Sequence, residues 1–255
     1  MHASVNVTNL QKALARVVRF ASDDNSRPLL MGVHFEAKGN DLTVTACDGF
    51  RMGQTIIEAQ IDEPFSALIP GYELEYLAKP SKQNSFLALD MVIDGQRYGN
   101  GKYPDADELF KQKANVEFKA PAELHEAVCV LRRALGTKKK GVWSGRTALF
   151  WSISPLGHVL EVRPTEDTFL KFEIPTKDAP AEEPLWVAVQ IDYLQAVLLA
   201  TAQDDDLQVQ LVRRKEGGTQ APIMFSCANS RSRYLIMPMH VPDYIPQVPN
   251  ARRKP

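Results

Sequence analysis

Few side chains in this sequence are spaced for catalysis or metal binding. The acidic run at 204–206 could hold a divalent cation or, with a histidine, serve a hydrolase. Its place between a predicted helix and a predicted strand favours a solvated acidic turn at Asp204, Asp205 and Asp206. The five histidines are scattered, and none has a histidine or cysteine at metal-ligand spacing. Phosphate-binding glycine loops and nucleophile motifs are absent. We predict no enzyme, no bound metal and no cofactor.

Clustered cations indicate a different chemistry, the neutralisation of phosphates. With 30 basic and 31 acidic residues the net charge is −1, so the distribution of charge must carry any prediction of DNA binding. Basic side chains lie on or beside three of four predicted helices, and the fourth helix, IDYLQAVLLATA, has none. The clustered residues are Lys12, Arg16 and Arg19, then Lys79 and Lys82, then Arg132 and Arg133, and finally Lys138, Lys139 and Lys140.

The elements that carry these residues are predicted from hydrophobic spacing. The first half begins with a helix over 8–21, with Thr8 as N-cap and Gln11 three positions later. A hairpin turning at 39–41 follows, and then a strand, a break at Pro70, a short helix and another strand. The second half repeats this plan with a helix over 121–135, three strand-like runs and a strand–helix–strand segment over 185–212. Since 255 residues suit two domains of about 100 to 130 residues, we predict α+β domains at 1–113 and 114–241.

Cellular location is predicted from three features: the length of the apolar stretches, the first residues and the spacing of the cysteines. Apolar stretches fall short of the roughly 18 residues that span a bilayer, and the first residues do not form a secretion signal. The three cysteines lie far apart without a CxxC pair. We expect a cytoplasmic protein with reduced thiols and no membrane partner.

Three segments resemble one protein family, the bacterial DNA sliding clamp or beta subunit of DNA polymerase III. Residues 26–53, SRPLLMGVHFEAKGNDLTVTACDGFRMG, resemble its middle domain, which carries RP-hydrophobic-G, a hairpin and a TDG-aromatic-R-hydrophobic turn. YPD at 103–105 resembles that domain's exit motif, and SRYLIMPMHV at 232–241 resembles the strand that closes the last domain. The resemblance implies two tandem DNA-clamp domains, with helices on the inner face and antiparallel sheets on the outer face of a ring.

The resemblance also implies a function. Family clamps place six domains around DNA, three from each chain, so a chain with only the middle and last domains would need three copies. We expect a homotrimeric sliding clamp and polymerase processivity factor, near the nucleoid, whose cationic clusters face double-stranded DNA without reading its sequence. Expected partners are polymerases and a clamp loader, bound through short peptide motifs. The alternative is a clamp-fold peptide-binding adaptor or regulator that does not encircle DNA.

The family's peptide groove lies between the middle and last domains. Matching motif positions implies a groove at Leu30, Cys47, Gly49, Phe50, Arg51, Met52, Pro104, Leu109, Leu235 and Met237. Here Cys47 stands where the family usually has Thr, and Phe50 where it often has His or Tyr. A core role for Leu30, Leu235 and Met237 is the alternative. The proline-rich tail 242–255 is predicted to be extended and basic, with a self-peptide in the groove as the alternative.

Overall fold

The fold divides into two units by its contacts. One unit comprises residues 1–112 with 226–235, and the other comprises 113–225 with 236–255. The computed structural model describes residues 2–78, 86–90, 102–135, 148–163, 169–176, 184–212 and 221–241, with the backbone alone for residues 2 and 86–90. The predicted residues Lys79, Lys82, Lys138, Lys139, Lys140 and the tail 242–255 lie outside these ranges. The predicted domain boundaries stay a prediction.

Helices and short strands alternate with antiparallel strand groups along the chain. The first half contains β1 His2–Asn6, α1 Val7–Val17, β2 Gly32–Lys38, β3 Asp41–Cys47, β4 Arg51–Ile61, β5 Phe65–Pro70, α2 Gly71–Leu74, β6 Phe86–Asp90 and α3 Ala106–Phe110. The second half contains β7 Val116–Lys119, α4 Leu124–Ala134, β8 Ala148–Ser154, β9 Gly157–Val162, β10 Leu170–Pro175, β11 Leu185–Gln190, α5 Ile191–Ala200, β12 Gln208–Leu211, β13 Ile223–Cys227 and β14 Ser232–Ile236. In each half a strand and a helix precede four strands, a helix and a further strand. The predicted α+β fold class is confirmed.

Helix α1 begins one residue earlier than predicted and has a different cap. The side chain of Asn6 accepts a hydrogen bond from the backbone of Asn9 at 3.2 Å. Because β1 extends as far as Asn6, the extended-to-helical change falls there, and Thr8 lies inside the first turn. The predicted N-cap at Thr8 is therefore wrong. The buried face of α1, Leu10, Ala13, Leu14 and Val17, has the predicted helical spacing.

An antiparallel sheet forms the main layer of the first unit. Its strand order is β5-β2-β3-β4-β14, and β1 pairs with β4 and β6. The predicted hairpin is confirmed: Lys38 pairs with Asp41 across a turn in which Gly39 has φ +63°. On β2 the buried Val33, Phe35 and Ala37 alternate with more exposed polar residues, so one face of the sheet is core and the other is polar.

The second unit contains its own sheet and a helix pair. Its strand order is β10-β9-β8-β11, β7 pairs with β12, which has β13 on its other side, and α4 packs on α5. Helix α4 begins three residues after the predicted start at 121, since the backbone N–H of Leu124 donates to the carbonyl of Pro121 in a turn before the helix. The acidic run 204–206 lies between α5 and β12. Within the described ranges, no helix is long and apolar enough to cross a membrane.

Candidate functional site

The turn between β3 and β4 is organised by one carboxylate. Asp48 accepts hydrogen bonds from the backbone N–H groups of Phe50 at 2.8 Å and Arg51 at 2.9 Å, and from Nε of Arg51 at 2.8 Å. Asp followed by Gly favours such a turn because the short side chain can bond two or three residues ahead. Gly49 adopts φ +92°, a conformation that other residues rarely adopt. The turn therefore holds the main chain of Phe50 and the side chain of Arg51 in fixed positions.

This turn packs closely on the segment before β2. A Cβ atom on Gly49 would lie 2.8 Å from Nη1 of Arg27 and 3.7 Å from Cδ1 of Leu30. The guanidinium carbon of Arg27 lies 5.9 Å from the ring centroid of Phe50, whose side chain is 41% exposed. The turn thus presents an aromatic ring beside a cation at the surface of the first unit.

Tyr103 connects the segment before α3 to the end of the sheet. Its ring stacks on His34 with centroids 4.9 Å apart, and its hydroxyl lies 3.4 Å from the carbonyl oxygens of Gly32 and Thr45. Burial raises the pKa of Tyr103 well above its usual value, and burial also raises the pKa of the Cys47 thiol that the phenol contacts. Both groups are therefore neutral at pH 7, and Tyr103 holds the adjacent Pro104 beside the end of β3.

The first unit brings together much of the predicted groove. Leu30, the turn between β3 and β4, and Pro104 lie around the same end of the sheet. Cys47, Met52 and Leu235 are buried at 3% exposure or less, whereas Leu109 on α3 is 40% exposed. Leu235 therefore has the core position that the alternative reading predicted. Met237 follows β14, is 38% exposed and groups with the second unit. The groove itself stays a prediction.

Asp48 and Tyr103 shape this site, and neither was among the predicted site residues. Both stand inside the motifs that carried the resemblance, CDGFRM and YPD. The Asp-Gly pair is itself a turn signal that could have identified Asp48. For Tyr103 the sequence offers only an aromatic residue before a proline, which does not specify its contacts.

The predicted cations of the first helical segment, Lys12 and Arg16 on α1 and Arg19 in the 3-10 turn Val18–Phe20 after it, differ in exposure. Lys12 is exposed. Arg16 interacts with the phenol of Tyr234, and the Arg19 side chain folds back so that Nε and Nη2 donate to the Ala15 carbonyl at 3.2 and 3.0 Å. The exposed positive charge of α1 and the turn that follows it is consequently smaller than the sequence suggests.

The predicted cations of α4 also divide into two kinds. Nε of Arg132 lies 2.5 Å from Oδ1 of Asp192 on α5, with both side chains about a third exposed. Arg133 is exposed. Asp192 therefore compensates the charge of Arg132 across the helix pair. Among the described residues, no group of His, Cys, Asp or Glu could hold a metal ion.

Comparisons with known proteins converge on one family. Residues 4–99 match the model for the central domain of the DNA polymerase III beta subunit. The Beta sliding clamp of Bacillus subtilis is 30% identical over 133 residues, which cover 46% of this chain and 35% of that protein. The Beta sliding clamp of Halalkalibacterium halodurans is 32% identical over 151 residues, covering 51% and 39%. The matched regions thus cover less than half of either relative.

Solved clamps share the fold over both units. The crystal structure of the Bacillus subtilis DNA polymerase sliding clamp aligns with a TM-score of 0.78 at 19% identity, covering 94% of this chain and 64% of that one. The Pseudomonas aeruginosa sliding clamp bound to griselimycin aligns with a TM-score of 0.74 at 17% identity, covering 94% and 66%. Because 94% of the chain is aligned, the second unit has the clamp fold although the family model matches only the first half.

Proposed function

We propose that the chain is a member of the DNA polymerase III beta-subunit family and, on that premise, a DNA sliding clamp that tethers polymerases to duplex DNA. The observation that carries this proposal is the clamp fold of both units, combined with the family match over residues 4–99. The family is not catalytic, so the chain is not an enzyme. Retention on DNA would come from topology rather than from tight contacts, which suits a protein of net charge −1. We place it in the cytoplasm, on the nucleoid.

A ring made from this chain would be a homotrimer. A head-to-tail interface closes only when the rotation per subunit divides the circle, and two clamp domains per chain require three chains to give six. Light scattering coupled to size exclusion tests this directly. The expected mass is about 86 kDa, that of three chains of 28.5 kDa each, and a mass of one or two chains at every concentration would contradict the ring.

Partner binding belongs to the same proposal. We assign peptide motifs of polymerases and the clamp loader to the surface around Leu30, the turn between β3 and β4, and Leu109, supported by the exposure of Phe50 and Leu109. The Pseudomonas aeruginosa clamp was crystallised bound to griselimycin, and we propose that griselimycin binds this surface of the present chain, which makes it the probe. We expect calorimetric titration to detect its binding, and a Phe50→Ala change to weaken it.

A peptide-binding adaptor that does not encircle DNA is the second candidate. The ion pair between Arg132 and Asp192 and the folded-back side chain of Arg19 favour it, because they reduce the charge available to phosphates. The two candidates differ on circular DNA. A clamp stays on the circle and leaves after linearisation, whereas an adaptor is not retained.

A further inference from the structure

The segment 102–110 lies over the polar face of the first unit's sheet with open space beneath it. A cavity of about 640 Å³ lies between residues 102–107 and strands β2, β3 and β4, with His34, Thr43, Thr45 and Gln54 on the sheet side. Within 102–110 only Ala106 is buried, while Tyr103, Pro104 and Phe110 are half-buried. Apolar packing therefore fixes the segment weakly, and its position depends on side chains that attach it to the sheet.

Two such attachments are present, one at each end of the segment. The stack of Tyr103 on His34 holds the start. Arg233 on β14 holds the end: its guanidinium forms an ion pair with Asp107 and lies 4.5 Å from the ring centroid of Phe110, both on α3. Burial lowers the pKa of His34, so that ring is neutral at pH 7 and the first attachment does not depend on charge.

Arg233 also joins the sheet below the segment. Its Nε donates to Oε1 of Gln54 at 2.6 Å, and Nε2 of Gln54 donates to Oγ1 of Thr45 at 3.0 Å. Gln54 is buried at 5% exposure, so its bond to Thr45 is shielded from water, while its bond to Arg233 is partly buried. One side chain thus fixes α3 relative to β3, β4 and β14.

We infer that Arg233 is a positioning residue for partner binding: it holds α3 so that Leu109 stands at a fixed distance from the turn between β3 and β4. This inference rests on the proposed groove. Lysine could not replace it fully, because only the planar guanidinium donates in two directions while presenting its face to an aromatic ring. Arg233 acts through Asp107 and Phe110 and does not itself touch the partner.

Arg231 is a matched control two residues away. It forms a two-pronged ion pair with Asp41, at 2.9 and 2.8 Å, and its side chain is 46% exposed against 33% for Arg233. Its partner lies on β3 instead of α3. Replacing either arginine by methionine removes one charge and one ion pair, but only the change at 233 releases α3.

The experiment is a calorimetric titration of griselimycin into the full chain and into Arg233→Met, Arg233→Lys and Arg231→Met, with thermal unfolding recorded for each. We expect Arg233→Met to weaken binding about tenfold, Arg233→Lys to recover part of the loss, and Arg231→Met to stay within about twofold of the parent. Thermal unfolding should show that both methionine variants are folded at the temperature of the titration; Arg233→Met should unfold at the lower temperature, since it also loses the bond to Gln54. The inference would be overturned if Arg233→Met bound griselimycin as tightly as the parent. It would also be overturned if both methionine variants lost the same affinity for griselimycin.

Hydrogen exchange makes the inference independent of the probe. Amides of residues 105–110 should exchange faster in Arg233→Met and at the parent rate in Arg231→Met, since only the first change frees α3. Unchanged exchange in Arg233→Met would overturn the inference even if griselimycin binds. If the parent chain fails to bind griselimycin while exchange shows the expected difference, the proposed groove fails and the attachment of α3 stands.

Discussion

At the scale of single residues, His158 on β9 shows how a buried site determines a charge. Its side chain is 3% exposed, and its Nδ1 accepts a hydrogen bond from Nε1 of Trp151 at 3.2 Å. An imidazole that accepts at Nδ1 must be unprotonated there. Burial lowers the pKa of His158 to about 4. The residue is neutral in the folded protein at pH 7, and nothing in its sequence context distinguishes it from the other histidines.

The stability of the protein should therefore fall in acid through His158. The unfolded chain, with an imidazole pKa near 6.5, binds more protons than the folded chain between about pH 6.5 and pH 4. The contribution of neutral His158 to the free energy of unfolding is fully present above that range and is lost as the pH falls through it. At pH 4.5 the loss relative to pH 7 is about 2 kcal/mol. Urea unfolding followed by tryptophan fluorescence at pH 7 and 4.5 measures it. A His158→Gln variant should lose less stability between the two pH values, and an equal loss would contradict the assignment.

At the scale of elements, the sequence predicted those whose own periodicity is strong. The faces of α1 and α4 and the β2–β3 hairpin follow from spacing and turn residues alone. The strands β1 and β7 are short, and their pairing partners β4, β6 and β12 lie far along the chain. The ion pair between Arg132 on α4 and Asp192 also joins residues that are distant in the sequence, since 60 residues separate them. Contacts at that range are set by the fold, so no local pattern predicts them.

A glycine at the start of β9 tests the β9–β10 pairing. Gly157 has φ +134°, and a Cβ there would lie 2.3 Å from the carbonyl oxygen of Ile174 and 3.0 Å from Cα of Pro175. Gly157→Ala should cost about 3 kcal/mol or more because backbone on both strands must move. Gly39→Ala is the control: its φ of +63° is strained for alanine, but no atom lies within 4 Å, so about 1 kcal/mol is expected. Equal losses in chemical denaturation would contradict this account of the pairing.

In the proposed clamp, the ion pair between Arg132 on α4 and Asp192 on α5 should reduce the positive charge that α4 offers to DNA. Asp192→Asn should release Arg132 and raise the affinity for duplex DNA at low salt about two- to threefold. The slope of the logarithm of the binding constant against the logarithm of the salt concentration should become steeper by about one. Stability should change by no more than about 1 kcal/mol, as both side chains are partly exposed. Asp205→Asn makes the same change in net charge on an exposed turn. The same rise in affinity for both variants, measured over a salt series, would show that Arg132 has no specific role.

At the scale of the whole molecule, the motifs at 26–53, 103–105 and 232–241 were enough to predict the clamp fold. They were not enough to predict which cations remain exposed. Lys12 and Arg133 are exposed, whereas Arg19 and Arg132 bond to other groups of the protein. Side-chain pairing depends on how helices pack, which the order of residues does not state directly. The DNA-facing assignment therefore rests most firmly on Lys12 and Arg133.

Encirclement of DNA is the property on which the proposed function depends. The most direct measurement incubates the protein at high concentration with nicked circular plasmid, isolates the complex by gel filtration at elevated salt, and repeats the filtration after one cut linearises the DNA. A topologically linked ring resists salt, because its retention does not require phosphate contacts. We predict co-elution with the circle and release from the linear form. Equal retention on both forms, or retention on neither, would contradict the sliding-clamp proposal.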